Sequence, residues 1–318
     1  MKIKFLITGG AGFIGSNIAT TLANKGINIR ILDNLSTGYL KNLQSIIDLP
    51  NVEFIQGDIR DLNVCNAACS DVEIVLHQAA LGSVPRSVAD PITTNAVNVD
   101  GFLNMLNAAR LSSTVKRFVY ASSSSVYGDD ITMPKQESIT GDLLSPYAVS
   151  KHTNEQYAKV FARVYKMEIV GLRYFNVFGP KQNPNGPYAA VIPLFINACL
   201  NKTAPTIFGD GTTTRDFTYV DNVVSANLLA AECNLTESGQ VFNIAYGATT
   251  SLNDLFKIIA NYSGFTGSVN YAPERLGDIK NSWADILKAK KILKYQPIVE
   301  LREGLEKTVE WYKNDIYN

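Results

Sequence analysis

Net charge is what this sequence lacks first: 29 Lys and Arg are balanced by 29 Asp and Glu. A neutral chain has no field strong enough to gather nucleic acid or an acidic membrane surface, so an anionic ligand has to be met by a few local donors. Histidine is scarce, with two residues, and the four cysteines (Cys65, Cys69, Cys199, Cys233) form no Cys-x-x-Cys pair. Cys65 and Cys69 lie one helical turn apart without a second ligand pair. That leaves no metal site in view and favours reduced thiols in a cytoplasmic protein over a disulfide framework. No apolar run has the length of a bilayer span. The short one at the N-terminus ends in a glycine-rich turn rather than a cleavage site, so it reads as a buried first strand. Repeats and low-complexity segments are absent as well.

What is present is an ordinary globular composition, 318 residues of which 46% are hydrophobic, enough for one large domain or two. Short apolar runs at Lys4-Ile7, Asn28-Asp33, Val52-Gln56, Ile74-Gln78, Arg117-Ser122 and Ile169-Phe175 alternate with helical patterns such as Ile14-Lys25 and Val97-Leu111. Strands alternating with helices predict parallel strands joined by right-handed crossovers: an α/β fold, a Rossmann-type doubly wound parallel sheet. After Asn176 the pattern changes, and Pro180, Pro184, Pro187 and Pro193 interrupt regular structure. A helix from about Leu194 to Leu200, a turn-rich Phe208-Arg215, a helix over Val223-Glu232 and a strand at Val241-Ala245 follow. Three helical patterns fill the tail from Ser251, the last over Arg302-Tyr312. The expected division is a nucleotide domain, 1–175, completed by about 216–248, with a smaller discontinuous α/β domain from 176–215 and 249–318.

Two motifs about 135 residues apart carry the chemistry. In Gly9-x-x-Gly12-x-x-Gly15 the first glycine allows a tight turn off the strand, the second lets a pyrophosphate approach the backbone, and the third lets the helix pack on the sheet. The helix that opens here aims its free N–H groups at the phosphates. Asp33 ends the next strand, where an acid accepts from both ribose hydroxyls and repels a 2′-phosphate, so NAD is expected over NADP; the bland reading is a turn residue or cap. Asp58 also ends a strand and is a candidate for the adenine amino group, with a helix N-cap as its alternative. Gln78-Ala79-Ala80 would let backbone lie against the cofactor.

The second motif is Tyr147-Ala148-Val149-Ser150-Lys151. Tyr147 and Lys151 are one helical turn apart and share a face. A phenol with an ordinary pKa of about 10 is a poor base at neutral pH, and a nearby ammonium with a positive nicotinamide ring would favour the phenolate. Tyr-x-x-x-Lys arises by chance on surface helices. Here it follows a strand ending in four serines, Ser122 to Ser125, at the end of the sheet where ligands bind.

These residues resemble those of the extended short-chain dehydrogenase/reductase family, the nucleotide-sugar epimerases and dehydratases. The likeness runs through Leu32-Asp33-Asn34, Gly57-Asp58, Ala79-Ala80, Asn98-Val99-Asp100-Gly101, Ser122-Gly128, Leu172-Arg173-Tyr174-Phe175-Asn176, Arg215-Asp216-Phe217 and Arg275-Leu276-Gly277-Asp278. It implies chemistry at carbon 4 of a sugar on a nucleoside diphosphate, with Tyr147, Lys151 and Ser123 catalytic. It adds Phe13, Ile14, Asn34, Ser36, Gly38, Ile59, Asn98, Ser122 and Tyr174 to the NAD site. No acid precedes Val126-Tyr127-Gly128, where dehydratases and decarboxylases carry one, so 4-epimerisation is implied. Gly82 and Ser83 resemble the subgroup acting on UDP-GlcNAc and UDP-GalNAc. Ser282 falls where a wall of the sugar pocket is implied, and a small residue leaves room for an acetamido group; a helix N-cap is its alternative. By the same likeness Arg215 and Arg275 clamp the diphosphate, Asp278 accepts from a ribose hydroxyl, and Asn176 donates to a phosphate; either Arg alone could be a surface ion pair. Ala190, Val191, Thr206 and Phe208 hold the uridine, and Ser123 or Ser124 the sugar. UDP-glucose and UDP-uronate epimerases (the latter with Arg86 near carbon 6) and a non-catalytic dinucleotide sensor are the competing readings. The family pairs the helices at Val97-Leu111 and Tyr147-Tyr165 with their copies, which implies a homodimer.

Overall fold

The continuous apolar run Phe5-Leu6-Ile7 puts Phe5 and Ile7 on one face of the first strand and Leu6 on the other, and each face finds its own buried cluster. The computed structural model describes residues 3–184, 189–235, 237–274 and 281–315. Its first half runs β1 (Ile3–Thr8), α1 (Phe13–Asn24), β2 (Ile29–Asp33), β3 (Val52–Gln56), α2 (Leu62–Ala68) and β4 (Val72–His77). Then come α3 (Val84–Ala89), α4 (Pro91–Asn95), α5 (Gly101–Leu111), β5 (Arg117–Ser123), α6 (Pro146–Tyr165) and β6 (Glu168–Tyr174). A seventh strand, Gln240–Ile244, pairs with β6, and the sheet order is Gln240–Ile244, β6, β5, β4, β1, β2, β3. Every ladder in it is parallel. The chain reverses its direction of winding between β1 and β4, which opens a crevice at the strands' C-terminal ends.

The remaining helices are α7 (Val191–Leu200), α8 (Val220–Glu232), α9 (Leu252–Ser263), α10 (Leu287–Ile292) and α11 (Leu301–Asp315). α1 and α8 cover one face of the sheet, and α2, α5 and α6 the other. A third cluster, with Phe195, Leu255, Ile259, Leu305 and Val309, packs α7, α9 and α11 together.

Two expectations need correction. Pro193 does not break structure: it lies in the first turn of α7, where its missing N–H is not needed. The helix expected over Val97–Leu111 is preceded by α4 and contains a π turn at Ala96–Asp100. The turn-rich Phe208–Arg215 segment lies between two short strands, Thr206–Phe208 and Thr214–Arg215, which it joins.

Candidate active site

A cavity of about 420 Å³ follows the crevice from the glycine turn to the start of α6. Gly9 has φ +65°, and a Cβ there would lie 2.7 Å from the Ala79 Cα, so glycine serves both the left-handed turn and the approach of the β4 end. A Cβ at Gly15 would collide with the Gly9 carbonyl, so this glycine sets how closely α1 meets the turn. Gly12 is the N-cap of α1; no side chain caps that helix and no acid occupies its first turn. Its leading N–H groups and positive dipole end are thus left to an anion. Phe13, Ile14 and Ser36 line the cavity, while Gly38 packs behind the turn, against the Ala11 carbonyl.

Asp33 ends β2 at 7% exposure. Its carboxylate accepts from the N–H groups of Ala11 at 2.9 Å and Leu35 at 2.8 Å, which aim it without exhausting its lone pairs. The turn role and the ligand-facing position therefore coexist. Asp58 differs. Asn34 Nδ2 donates to it at 2.9 Å and Arg60 Nη2 at 2.6 Å, and these bonds hold its carboxyl well below the usual carboxylate range. Among the residues lining the cavity are its neighbours Gly57 and Ile59 but not Asp58 itself, and the N-cap of α2 is Asp61, not Asp58. Gln78 Nε2 donates to Asn227 at 3.0 Å and its Oε1 accepts from the Tyr174 hydroxyl at 2.9 Å. Its side chain is thus taken up by a buried triad, and Ala79 and Ala80 line the cavity beside it. Asn98 lies behind the loop that lines the cavity. Buried on the π turn, it does not line the cavity; its amide bonds Leu81 N, Leu81 O and Ser150 Oγ, bracing the loop that does.

Ser145 caps α6 by accepting from Ala148 N–H, and Pro146 stands at its first position, so the helix starts one residue before Tyr147. Tyr147 and Lys151 both face the cavity with Ser122 and Ser123. Of the four serines Ser123 is the one that acts on the Tyr147 phenol, favouring its ionised form; its Oγ accepts from Ser125 N–H at 3.1 Å. The Ser122 hydroxyl is directed away from a ligand, donating to Glu155. Lys151 is 3% exposed, donates from Nζ to the Ala121 carbonyl at 2.8 Å, and lies 6.0 Å from the Tyr147 ring centre. Burial pushes its ammonium down to about 8, with Glu155 opposing the fall. The lowered phenol expected at Tyr147 is not produced by the chain alone: burial pushes it above its ordinary value and the Ser123 bond only moderates the rise.

On the substrate side Gly82 and Asn176 line the cavity. Gly82 has nothing within 4 Å of where a Cβ would be. Ser83, at φ +131°, caps α3 by accepting from Arg86 N–H, and Arg86 does not line the cavity. Asn176 Nδ2 donates to the Asp216 carbonyl at 3.1 Å, and Asp216 N–H donates to the Ser282 carbonyl at 2.9 Å. Ser282 sits opposite Arg215 in a parallel ladder of Asn281–Ser282 with Thr214–Arg215, so it is a strand residue and not a helix N-cap. The Asp216 carboxylate, fully buried, accepts from Tyr246, Gly247 and Ala284 N–H groups; burial pushes it up to about 7. Ala190 caps α7 and Val191 opens it, and Thr206 and Phe208 pair with Asn270–Ala272. Ser124 is half-buried in the turn after β5, outside the cavity lining. Arg275 and Asp278 lie outside the described residues.

Fold and site together define an enzyme that holds a dinucleotide at a Rossmann crevice beside a tyrosine–lysine pair. Residues 5–245 match the model of the NAD-dependent epimerase/dehydratase family, and the chain belongs to that family. A relative from Methanocaldococcus jannaschii, a putative UDP-glucose 4-epimerase, is 41% identical over 312 residues, covering 98% of each chain. The solved UDP-N-acetylglucosamine 4-epimerase of Methanobrevibacter ruminantium, in complex with UDP-N-acetylmuramic acid, has TM-score 0.93 and 40% identity over 99% of this chain and 100% of that one. The UDP-glucose 4-epimerase of Thermotoga maritima, solved with UDP-glucose, has TM-score 0.91 and 38% identity over 98% and 99%. The protein is an NAD-dependent isomerase of the nucleotide-sugar 4-epimerase kind. Sequence reasoning missed the supports of its site: Asn227 behind Gln78 and Tyr174, and Glu155 with Arg173 behind Lys151.

Proposed function

We propose that the protein interconverts UDP-GlcNAc and UDP-GalNAc, with UDP-glucose and UDP-galactose as further substrates. The observation that carries this is Ser282: a small side chain beside Arg215, joined through Asp216 and Asn176 to the cavity that ends at Tyr147. With the open space at Gly82, it leaves room for a 2-acetamido group.

The residues fit NAD. Asp33 would hold the adenosine ribose hydroxyls, the start of α1 the pyrophosphate, and Lys151 the nicotinamide ribose. Bound NAD supplies a reversible two-electron acceptor for carbon 4. Tyr147 takes the proton of the 4-hydroxyl, with Ser123 bridging to that oxygen. Lys151 and the positive cofactor together offset the cost of a buried phenolate. The 4-keto sugar then turns, tethered by its UDP end. Arg215, Arg275 and Asn176 on the diphosphate, Asp278 on a ribose, and Ala190, Val191, Thr206 and Phe208 around the uridine make that tether firm. The mechanism requires the sugar, by contrast, to be held loosely enough to turn. Tyr147 returns the proton to the inverted centre.

The residue division is read as an NAD domain of 1–175 completed by about 216–248, with 176–215 and 249–318 binding the nucleotide sugar. We read the protein as a cytoplasmic homodimer. Leu111 on α5 and Val149, Val160, Val164 and Tyr165 on α6 are 43–61% exposed, an apolar face suited to its own copy. Incubation with UDP-Glc, UDP-Gal, UDP-GlcNAc and UDP-GalNAc, followed by separation of epimers, tests the substrate. Turnover of both acetamido sugars is expected; turnover confined to the glucose–galactose pair overturns the assignment.

A further inference from the structure

Two buried charges behind Lys151 do not line the cavity. Glu155 stands one turn beyond Lys151 on the same side of α6. Its carboxylate accepts from Arg173 Nε at 2.9 Å and Nη2 at 2.7 Å, and from the Ser122 hydroxyl. Both side chains of the ion pair are buried, at 6% and 4% exposure. Arg173 stands directly opposite Ser122 in the ladder of β5 and β6, and Lys151 Nζ is fastened to the carbonyl of Ala121, the residue before Ser122. Two successive turns of α6 are thereby tied to two successive residues of β5.

A buried ion pair is no more stabilising than well-packed apolar residues, so stability alone gives little reason for charge here. The surroundings of Lys151 give one. His77 on β4 is neutral, because burial between Phe102 and Phe118 pushes its imidazole down to about 3. Tyr147 on α6 and Tyr120 on β5 are held as phenols by burial. Arg173 on β6 has the same sign as Lys151. Among the described residues Glu155 is the anion that acts on the Lys151 ammonium.

We propose that Glu155 is a positioning residue for the Tyr147–Lys151 pair: with Arg173 and Ser122 it fixes the rotation of α6 and keeps Lys151 an ammonium at the cavity. This rests on reading Tyr147 and Lys151 as the reactive pair. Lys151, Arg173 and Glu155 together carry one net positive charge. Glu155→Gln keeps the side chain's size and leaves two cations in a dry interior, so Lys151 should surrender its proton more readily.

The test is the titration of Lys151 in the NAD-loaded protein without substrate, read from its ¹³Cε resonance, assigned with Lys151→Met. Glu155→Gln should move the midpoint down by about one pH unit. The alkaline limb of kcat should move with it, while KM changes little. Arg173→Met removes the repelling cation and should move the midpoint up; this arm stands even where Glu155→Gln does not fold. The double variant loses one charge of each sign and should titrate between the two. A midpoint that stays at the wild-type pH in the folded variants, with kcat lowered equally at all pH, would mean that the pair only braces the helix and overturns the proposal. Full activity of Tyr147→Phe would instead remove the reactive pair itself, and the titration, which needs no substrate, keeps the two failures apart.

Discussion

Tyr147 carries its hydroxyl against Ser123 in a half-buried position, and burial alone makes it a weaker acid than free tyrosine. As the only proton acceptor assigned to the 4-hydroxyl, it has no substitute, so Tyr147→Phe should lower kcat about 10²–10⁴-fold with KM little changed. Steady-state kinetics check this, and near-normal turnover removes Tyr147 from the mechanism. His77 makes a different prediction. Its ring is 3% exposed, bonds Thr8 Oγ1 at 2.9 Å, and stays neutral down to about 3, whereas an unfolded histidine takes a proton near 6.5. Below pH 6.5 the unfolded state therefore binds one more proton, and stability falls with acidification by about 1.4 kcal/mol per pH unit from this residue. Denaturant titrations between pH 6.5 and 4 should show a slope shallower by one proton in His77→Gln, whatever that variant's absolute stability. An unchanged slope would mean that His77 titrates normally.

The elements hold these side chains by short, crowded junctions. α1 can begin beside β1 because Gly15 presents no Cβ to the Gly9 carbonyl. Gly15→Ala should push the helix off the turn at a cost of about 1–3 kcal/mol and misplace its N–H groups. A lower melting temperature, with less NAD released on denaturation than from the wild type, is the expected result; full NAD occupancy would show that the turn tolerates the methyl. The Asn281–Ser282 strand stands beside Thr214–Arg215. Ser282→Tyr should fill the space read as the acetamido pocket. Activity on UDP-GlcNAc and UDP-GalNAc should then fall steeply, while UDP-glucose and UDP-galactose are still converted, because a clash costs more than a lost contact. An equal fall for both pairs would indicate damage to the fold, and no fall would take Ser282 out of the sugar wall. Asp216 holds the neighbouring backbone by joining Tyr246, Gly247 and Ala284 around one buried carboxylate.

For the whole molecule, the unpartnered face of α5 and α6 leads to the expectation of a two-fold dimer, with Val164→Asp shifting it toward monomer. Sedimentation at micromolar concentration checks both, and a wild-type protein that sediments only as a single chain contradicts the reading. The sheet was legible in the sequence because each strand is a short aliphatic run closed by a polar turn; Asp33, Tyr147 and Lys151 were legible because spacing along one strand or helix decides where they point. The rest depends on partners distant in the chain. Nothing local shows that Gln78 is bonded to Asn227, that Ser122 is turned to Glu155, or that Asn98 braces Leu81. α3 and α4 were not read from the sequence: they are one-turn helices of 6 and 5 residues, too short for an apolar period, with Pro85 and Pro91 in their first turns. For Ser282, strand pairing beside Arg215 removes the helix-cap alternative, which no local pattern could do. Inversion at carbon 4 by removal and return of the same hydrogen is best checked with UDP-GlcNAc carrying deuterium at that carbon. The mechanism predicts UDP-GalNAc with the label retained at carbon 4. Product in which that deuterium has exchanged with solvent, or no epimer at all, would contradict it.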